Sequence, residues 1–359
     1  MEQKFIDEKI RECRKLVLTN RPGTVIVSAD YGNRVPDLSV IVGTYNADNQ
    51  LIRALKSIEN QDFKGIIEIL LSYDYGTPPS TLEIITDWIS NVWKGNTLIK
   101  IVFHEPMRLF RDREFMTTKT TSRFVTFLDY DNTFDRNNVS THISLMKDRD
   151  YHFTFSNQRD VDIKGNVIRE IHLEVPKNYT DPEMLLFRNF VDSNTIFFDR
   201  YFYDTILAKL YGSVKDPFFD GIIEDYFYGL VASLTGNLRY IDKTLGSYTY
   251  HTGNITSRLY NVNSPEEYVR IAYFNERVQK TITAIIMVNS SLKLSNIELF
   301  STQYSIIQQR NLQFLGFHVG FNGQENRIVF NVLKAIIKVA LKLPYLKTRF
   351  LMREHSPKR

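Results

Sequence analysis

Apolar runs recur at regular intervals through the first third of the chain. Residues 38–42 (LSVIV), 66–71 (IIEILL), 98–102 (LIKIV) and 124–128 (FVTFL) are short, nearly continuous and rich in β-branched side chains. Such runs suit strands buried on both faces, as in a parallel sheet. Helical spacing fills the gaps between them. Residues 50–59 place Leu51, Leu55 and Ile58 on one side, and residues 80–92 open on Ser80 with Glu83 three positions on, a capping box. Strand, helix, strand, helix, strand implies right-handed crossovers and a parallel sheet. Upstream, residues 5–18 predict an amphipathic helix, ended by Asn20, Arg21, Pro22 and Gly23, with a linker running on to Pro36.

After Phe134 the pattern changes. Residues 138–146 read as a helix, 151–155 as a strand, and 158–171 as a hairpin turning at Lys164, Gly165 and Asn166. Residues 108–123 and 177–183 read as polar segments. Further helices are predicted at 197–210, 222–234, 264–288, 296–310 and 327–343. The fold class expected is α/β: a mostly parallel, Rossmann-like central sheet flanked by helices, with an added C-terminal helical region. The division expected is 1–36 (helix and linker), 37–134 and 135–256 (two halves of one domain), 257–326 (helical extension) and 327–359 (tail).

The predicted strands end on polar clusters: Thr44-Tyr45-Asn46 after the first, Asp74-Tyr75-Gly76-Thr77 after the second and Asp129-Tyr130-Asp131-Asn132 after the fourth. Ligands of open α/β sheets bind beyond the carboxyl ends of the strands, and a nucleotide is the default occupant. Tyr45 can stack on a base and Asp74 can accept from its imide or amino hydrogens. Two carboxylates one residue apart can share a hard divalent cation and its phosphates. Each cluster alone also reads as an ordinary strand-capping turn; all three in order favour a crevice.

These stretches resemble family 2 glycosyltransferases, which have the GT-A fold. SVIVGTYNADNQLIRALKSIENQDF, EILLSYDYGTP and FVTFLDYDN carry the likeness, which extends from Leu38 to His251. The resemblance implies inverting transfer of a sugar from a nucleoside-diphosphate sugar, UDP-linked by family habit, to a hydroxyl of a glycan or lipid-linked acceptor. It assigns Thr44, Tyr45, Asn46, Asp74 and Asp129 to the nucleotide, and Asp131, His251 and Asp129 to a Mn²⁺ or Mg²⁺ ion. In DGIIEDYFYGL it makes Asp225 the base, with Glu224 beside it; Asp192 and Asn194 fall where family members contact donor sugar or acceptor. The sequence departs from the family at Gly43, where a proline is usual, and at Tyr75-Gly76-Thr77, where Asp-Gly-Ser is usual. An Asn-x-Gly element before the fourth strand is missing, and Arg111, Asp112, Arg113 and Lys119 occupy that stretch. Arg111 and Arg113 there read as diphosphate contacts or as a solvated basic face.

Two other classes fit parts of the pattern. Asp129-Tyr130-Asp131-Asn132-Thr133 also matches the D-x-D-x-T of haloacid-dehalogenase-like phosphatases, with Asp129 as nucleophile, although three strand-like segments precede it. A GT-A module that binds sugar nucleotides or glycans without turnover is the third reading. Composition changes the picture at one place. The net charge of +4 is unevenly spread: residues 327–359 hold nine Lys/Arg against Glu354 alone, leaving 36 basic and 40 acidic residues elsewhere. Within 327–343, Lys334, Lys338 and Lys342 recur opposite Phe330, Leu333, Ile337 and Leu341, a cationic amphipathic pattern suited to an anionic membrane surface or to packing on the body. The acidic body and the lack of a recognition motif argue against nucleic acid. A lone Cys13, no signal-peptide core and no run near about 20 apolar residues fit a cytoplasmic protein, or one bound peripherally to the inner face of the cell membrane.

Overall fold

The computed structural model describes residues 2–187, 189–213 and 221–251, together with 277 and 281. The chain divides into two compact units, 1–300 and 301–359, and all described residues lie in the first. The helices expected at 264–288, 296–310 and 327–343, and with them the basic tail, lie outside the described residues.

Helix α1 (Glu2–Thr19) buries Ile6, Ile10 and Cys13 at helical spacing. Strand β1 (Gly23–Ile26) follows, where a linker was expected, and pairs antiparallel with β4 (Leu98–His104). The predicted alternation comes next: β2 (Leu38–Gly43), α2 (Gln50–Glu59), β3 (Ile67–Asp74) and α3 (Pro79–Asn91), then β4. Between β4 and β5 (Phe124–Asp129) lies α4 (Leu109–Thr118). The sequence pattern did not show α4, because the side it buries includes Asp112, Arg113 and Thr117.

Strand β2 pairs parallel with β3 on one side and β5 on the other, so Gly43 stands opposite both Ser72 and Asp129. That register brings the three polar clusters to one edge. At Asn46 the chain leaves β2 with φ 54°, the left-handed region that asparagine tolerates better than most residues.

The second half adds β6 (Thr133–Phe134), α5 (Asn138–Arg149), β7 (Phe153–Asp162), β8 (Val167–Arg169), α6 (Pro182–Phe187) and β9 (Ile196–Asp199). The helix expected from 197 begins only after Asp199, which accepts from the Phe202 N–H as its cap. It then runs through α7 (Arg200–Phe202), a π turn (Tyr203–Leu207) and α8 (Ala208–Ser213). Helix α9 (Glu224–Leu234) and β10 (Leu238–Tyr250) complete the described elements.

Among the described residues the strands make one mixed sheet, in the order β1-β4-β3-β2-β5-β9-β7-β10-β6, with β8 on β7. The expected α/β architecture, a central sheet flanked by helices, is the one the described residues form. Strand β9 runs antiparallel between β5 and β7. The hairpin turns where expected, at Gly165 with φ 89°. Strand β10 closes on β6, where a Cβ at Gly246 would stand 2.7 Å from the Thr133 carbonyl oxygen. Only glycine lets the two backbones approach so closely.

Tyr228 stacks on Phe127 and on Phe198, which are tilted against each other, and so anchors α9 to β5 and β9. Near the N-terminal ends of the strands Glu68, fully buried, pairs with Lys100 at 2.9 Å. Ser39 and Tyr31 hydroxyls also donate to Glu68, so the buried pair has the extra hydrogen bonds it needs.

Candidate active site

At the crevice edge the acids of β5 are held in different ways. The Asp129 carboxylate accepts from Arg113 Nη2 at 2.7 Å and from Asn194 Nδ2 at 3.0 Å, while its backbone N–H donates to Asn194 Oδ1 at 2.6 Å. Asn194 Nδ2 also donates to Asp192 Oδ1 at 2.9 Å. Both amide hydrogens of Asn194 are therefore committed, and Asn194 locks Asp192 to Asp129. Asp131 instead faces His251, with Oδ2 and Nε2 2.8 Å apart. Between the acids and β10, the buried Asn132 side chain accepts from the Thr249 N–H at 2.9 Å. This bond fixes the chain two residues before His251 and brings together groups 120 positions apart.

Burial and the neighbouring Asp129 push the Asp131 carboxyl up to about 6, with His251 opposing the rise. A site whose anion is costly to maintain is one that a cation stabilises. Asp131 and His251 would supply a carboxylate oxygen and an imidazole nitrogen to a divalent ion. No group of three His, Cys, Asp or Glu suited to a metal occurs among the described residues. Asp129 is held differently, one carboxylate oxygen accepting from Arg113 and the other from Asn194.

Helix α4 carries the link to the second half. Arg113 is buried, its guanidinium lying 4.9 Å over the Phe127 ring and 3.3 Å from Glu224 Oε1. Burial opposes its charge, but the Asp129 and Glu224 carboxylates outweigh it and keep the guanidinium protonated. The expectation for Arg113 is thus corrected. It is neither a solvated basic face nor open to a diphosphate; it is an internal strut between β5 and α9. Arg111 pairs with Glu114 along the helix at 2.9 Å.

The adjacent residue, Asp112, accepts from the Ser72 hydroxyl at 2.5 Å and lies 3.2 Å from His104 Nε2. His104 Nδ1 contacts the Glu105 carbonyl at 2.8 Å. Asp112 does not reach Nδ1, so this buried Ser-His-Asp group is no nucleophile triad. It pins α4 to β3 and β4, as Arg113 pins it to β5 and α9. Sequence reasoning missed the group, since its members sit in three separate elements.

The acidic pair opens α9, where the helix dipole favours negative charge. Glu224 is buried, whereas Asp225 is partly exposed and accepts from the Tyr226 N–H at 2.6 Å. Burial holds both carboxyls above their ordinary range. Arg113 opposes the shift at Glu224, while Glu224 and Asp192 add to it at Asp225. A partly exposed carboxylate with a raised proton affinity is suited to accept a proton from a hydroxyl.

On the nucleotide side, Asp129 apart, the other four of the five predicted residues divide. Tyr45 is 57% exposed, and its ring lies close to Gly76, where a Cβ would stand 3.5 Å from it. Asn46 is exposed beside it. Asp74 Oδ1 accepts from the Gly76 N–H at 2.7 Å and from Thr77 Oγ1 at 3.3 Å, shaping its own turn. Thr44 is corrected: it is fully buried and donates to the Ser72 carbonyl at 2.6 Å. Its side chain ties β2 to β3 beneath the crevice and does not face a ligand.

Residues 39–207 match the sequence profile of the family described as glycosyl transferase family 2. Over that stretch, just under half of the chain, the sequence is similar to family 2 glycosyl transferases. Asp129, Asp131, Arg113, Asp192 and Asn194 all fall within it, and the acidic pair and His251 follow it. Among solved structures the chain is similar to S. aureus TarS. It shares 16% identity with TarS, covers 68% of this chain and 43% of that one, at a TM-score of 0.44. The chain thus spans less than half of that TarS chain. It is also similar to TarS 1-349 in complex with UDP-GlcNAc, at 16% identity and TM-score 0.44, covering 71% of this chain and 73% of that one. No curated protein sequence matches. Among the described residues, no helix is long and apolar enough to cross a membrane.

Proposed function

We propose that this chain moves a sugar from a nucleoside-diphosphate sugar, UDP-linked, to a hydroxyl of a glycan or lipid-linked acceptor with inversion at the anomeric carbon. The observation that carries the reading is the convergence on one sheet edge. The Asp131–His251 pair lies beside the Asn194-locked Asp129, and Arg113 joins Asp129 to Glu224 of the Glu224-Asp225 pair.

Asp225 takes the proton of the acceptor hydroxyl as that oxygen attacks and the bond to the diphosphate breaks on the opposite face. Glu224, tied to Arg113, keeps the helix start in place and raises the proton affinity of its neighbour. Tyr45 and Asp74 serve the base, and Asp129 serves the ribose side. Asp131 and His251 would hold Mn²⁺ or Mg²⁺, whose charge offsets that of the departing diphosphate. A phosphatase reading would need Asp129 free as nucleophile, and its carboxylate is engaged on both oxygens. Residues 327–359, outside the described residues, would bring the enzyme to an anionic membrane face, in keeping with a role in surface polysaccharide synthesis.

Thermal melting with a panel of nucleotide sugars and Mn²⁺ tests the donor assignment. One or more UDP-sugars are expected to raise the melting temperature in a Mn²⁺-dependent way. A panel in which no nucleoside-diphosphate sugar stabilises the protein would sink the reading.

A further inference from the structure

The second half of the sheet carries a separate cleft of about 380 Å³, walled by Asn157, Glu174, Lys177, Tyr179, Tyr240 and Asp242. That volume falls within the range of small-molecule sites, about 300–1,000 Å³. Tyr179 and Tyr240 meet edge to face, ring centroids 5.9 Å apart. Both rings also pack on buried Phe155, at 6.1 and 5.1 Å, so they are braced against the core. The Tyr240 hydroxyl lies against the Asn157 amide and the Asp242 carboxylate.

The floor is built. Asn157 is 5% exposed, its Nδ2 donates to the Leu173 carbonyl at 2.5 Å, and its Oδ1 accepts from the Gln158 N–H at 2.9 Å. This fixes the loop that carries Glu174 and Lys177. Just before Leu173, His172 bonds Asp160 and lies 3.7 Å from Asp192, the residue that locks Asn194 at the candidate active site. One short loop therefore borders both places.

Rigid aromatic faces beside exposed carboxylates match a particular ligand chemistry. A pyranose offers an apolar C–H face to a ring and a rim of hydroxyl donors to carboxylates and amides. Two acids against one lysine disfavour a phosphorylated or polyanionic ligand, while Ile171, Val175 and Pro176 complete the wall with apolar surface.

We propose that this cleft binds a neutral or amino sugar of the acceptor glycan, away from the hydroxyl that reacts. The assignment as an acceptor subsite rests on the glycosyl transfer reading of the crevice; glycan binding by the cleft does not.

The test applies the fluorescently labelled full chain, as wild type, Tyr179→Ala and Asp242→Asn, to a printed oligosaccharide array. UDP-induced thermal stabilisation with Mn²⁺ is recorded in parallel. Asp242 is exposed, so its substitution leaves folding intact if Tyr179→Ala does not. Wild type is expected to retain at least one oligosaccharide class, each substitution to weaken that retention at least about tenfold, and UDP stabilisation to stay unchanged. A wild type that retains no oligosaccharide, or substituted chains that retain it equally, would overturn the proposal. Loss of UDP stabilisation in wild type would instead strike at the crevice reading, with the array result still deciding the cleft.

Discussion

Replacing Arg113 by methionine removes the one cation that reaches both Asp129 and Glu224 among the described residues. The methionine fills much of the apolar volume, so the loss is chiefly electrostatic. Breaking a buried pair by removing one partner costs about 3–5 kcal/mol. The two acids are not equally stranded: the Asp129 side chain is 36% exposed and can regain water, whereas that of Glu224 is 10% exposed and cannot. This places the cost near the lower end, about 3 kcal/mol, or roughly 6–12 °C in melting temperature for a domain of this size. Contact with the Phe127 face adds about 1 kcal/mol.

The pH dependence of that loss carries a sign. Arg113 lowers the proton affinity of Glu224, which burial already raises; without Arg113 the Glu224 pKa rises further. A carboxyl with a folded pKa above its unfolded value binds more protons folded than unfolded between the two, so stability falls as pH rises through that window. The deficit of Arg113→Met should therefore be smaller at pH 5 than at pH 8. Adding Glu224→Gln should recover about half of it, since the stranded charge is then gone. Urea titrations of the single and double substitutions at both pH values read all of this. A loss below about 1 kcal/mol, or one indifferent to Glu224→Gln, would refute the strut.

Asp131→Asn and His251→Gln should each weaken activation by Mn²⁺ at least about tenfold, read from activity against metal concentration; unchanged activation would remove the pair from the metal site. Glu224→Gln relieves one of the charges that raise Asp225, so the acid limb of kcat/KM should move to lower pH, and an unmoved limb would count against Asp225 as base. At the far end of the strands, Glu68→Gln strands Lys100 and should cost about 3–5 kcal/mol in a urea midpoint while leaving kcat as it was. A loss of activity matching the loss of stability would show that end to be coupled to the crevice.

What the sequence revealed follows from what stabilises each element. Strands β2 to β5 are buried on both faces, so their apolar runs were plain, and their ends gave the three polar clusters. Helix α4 was invisible because Asp112, Arg113 and Thr117 share its buried side with only two apolar residues, Phe110 and Met116. Strand β10, LRYIDKTLGSYTY, breaks its alternation at the register shifts beside Tyr240, Thr244 and Ser247, so no period marked it. Asp131 and His251 were named from resemblance, but only the Asn132–Thr249 bond shows how they are kept together. Arg113 shows the limit most clearly. In sequence it is one basic residue among several, and only the fold places it between two acids of distant elements.

The most direct measurement is release of nucleoside diphosphate from a panel of UDP-sugars with Mn²⁺, comparing the wild-type chain with Asp225→Asn. Wild type should turn over at least one sugar nucleotide. Asp225→Asn should lose at least about a hundredfold in rate, the range of a general base, while UDP still raises its melting temperature. Turnover by Asp225→Asn at the wild-type rate would contradict the assignment of the base and the mechanism built on it.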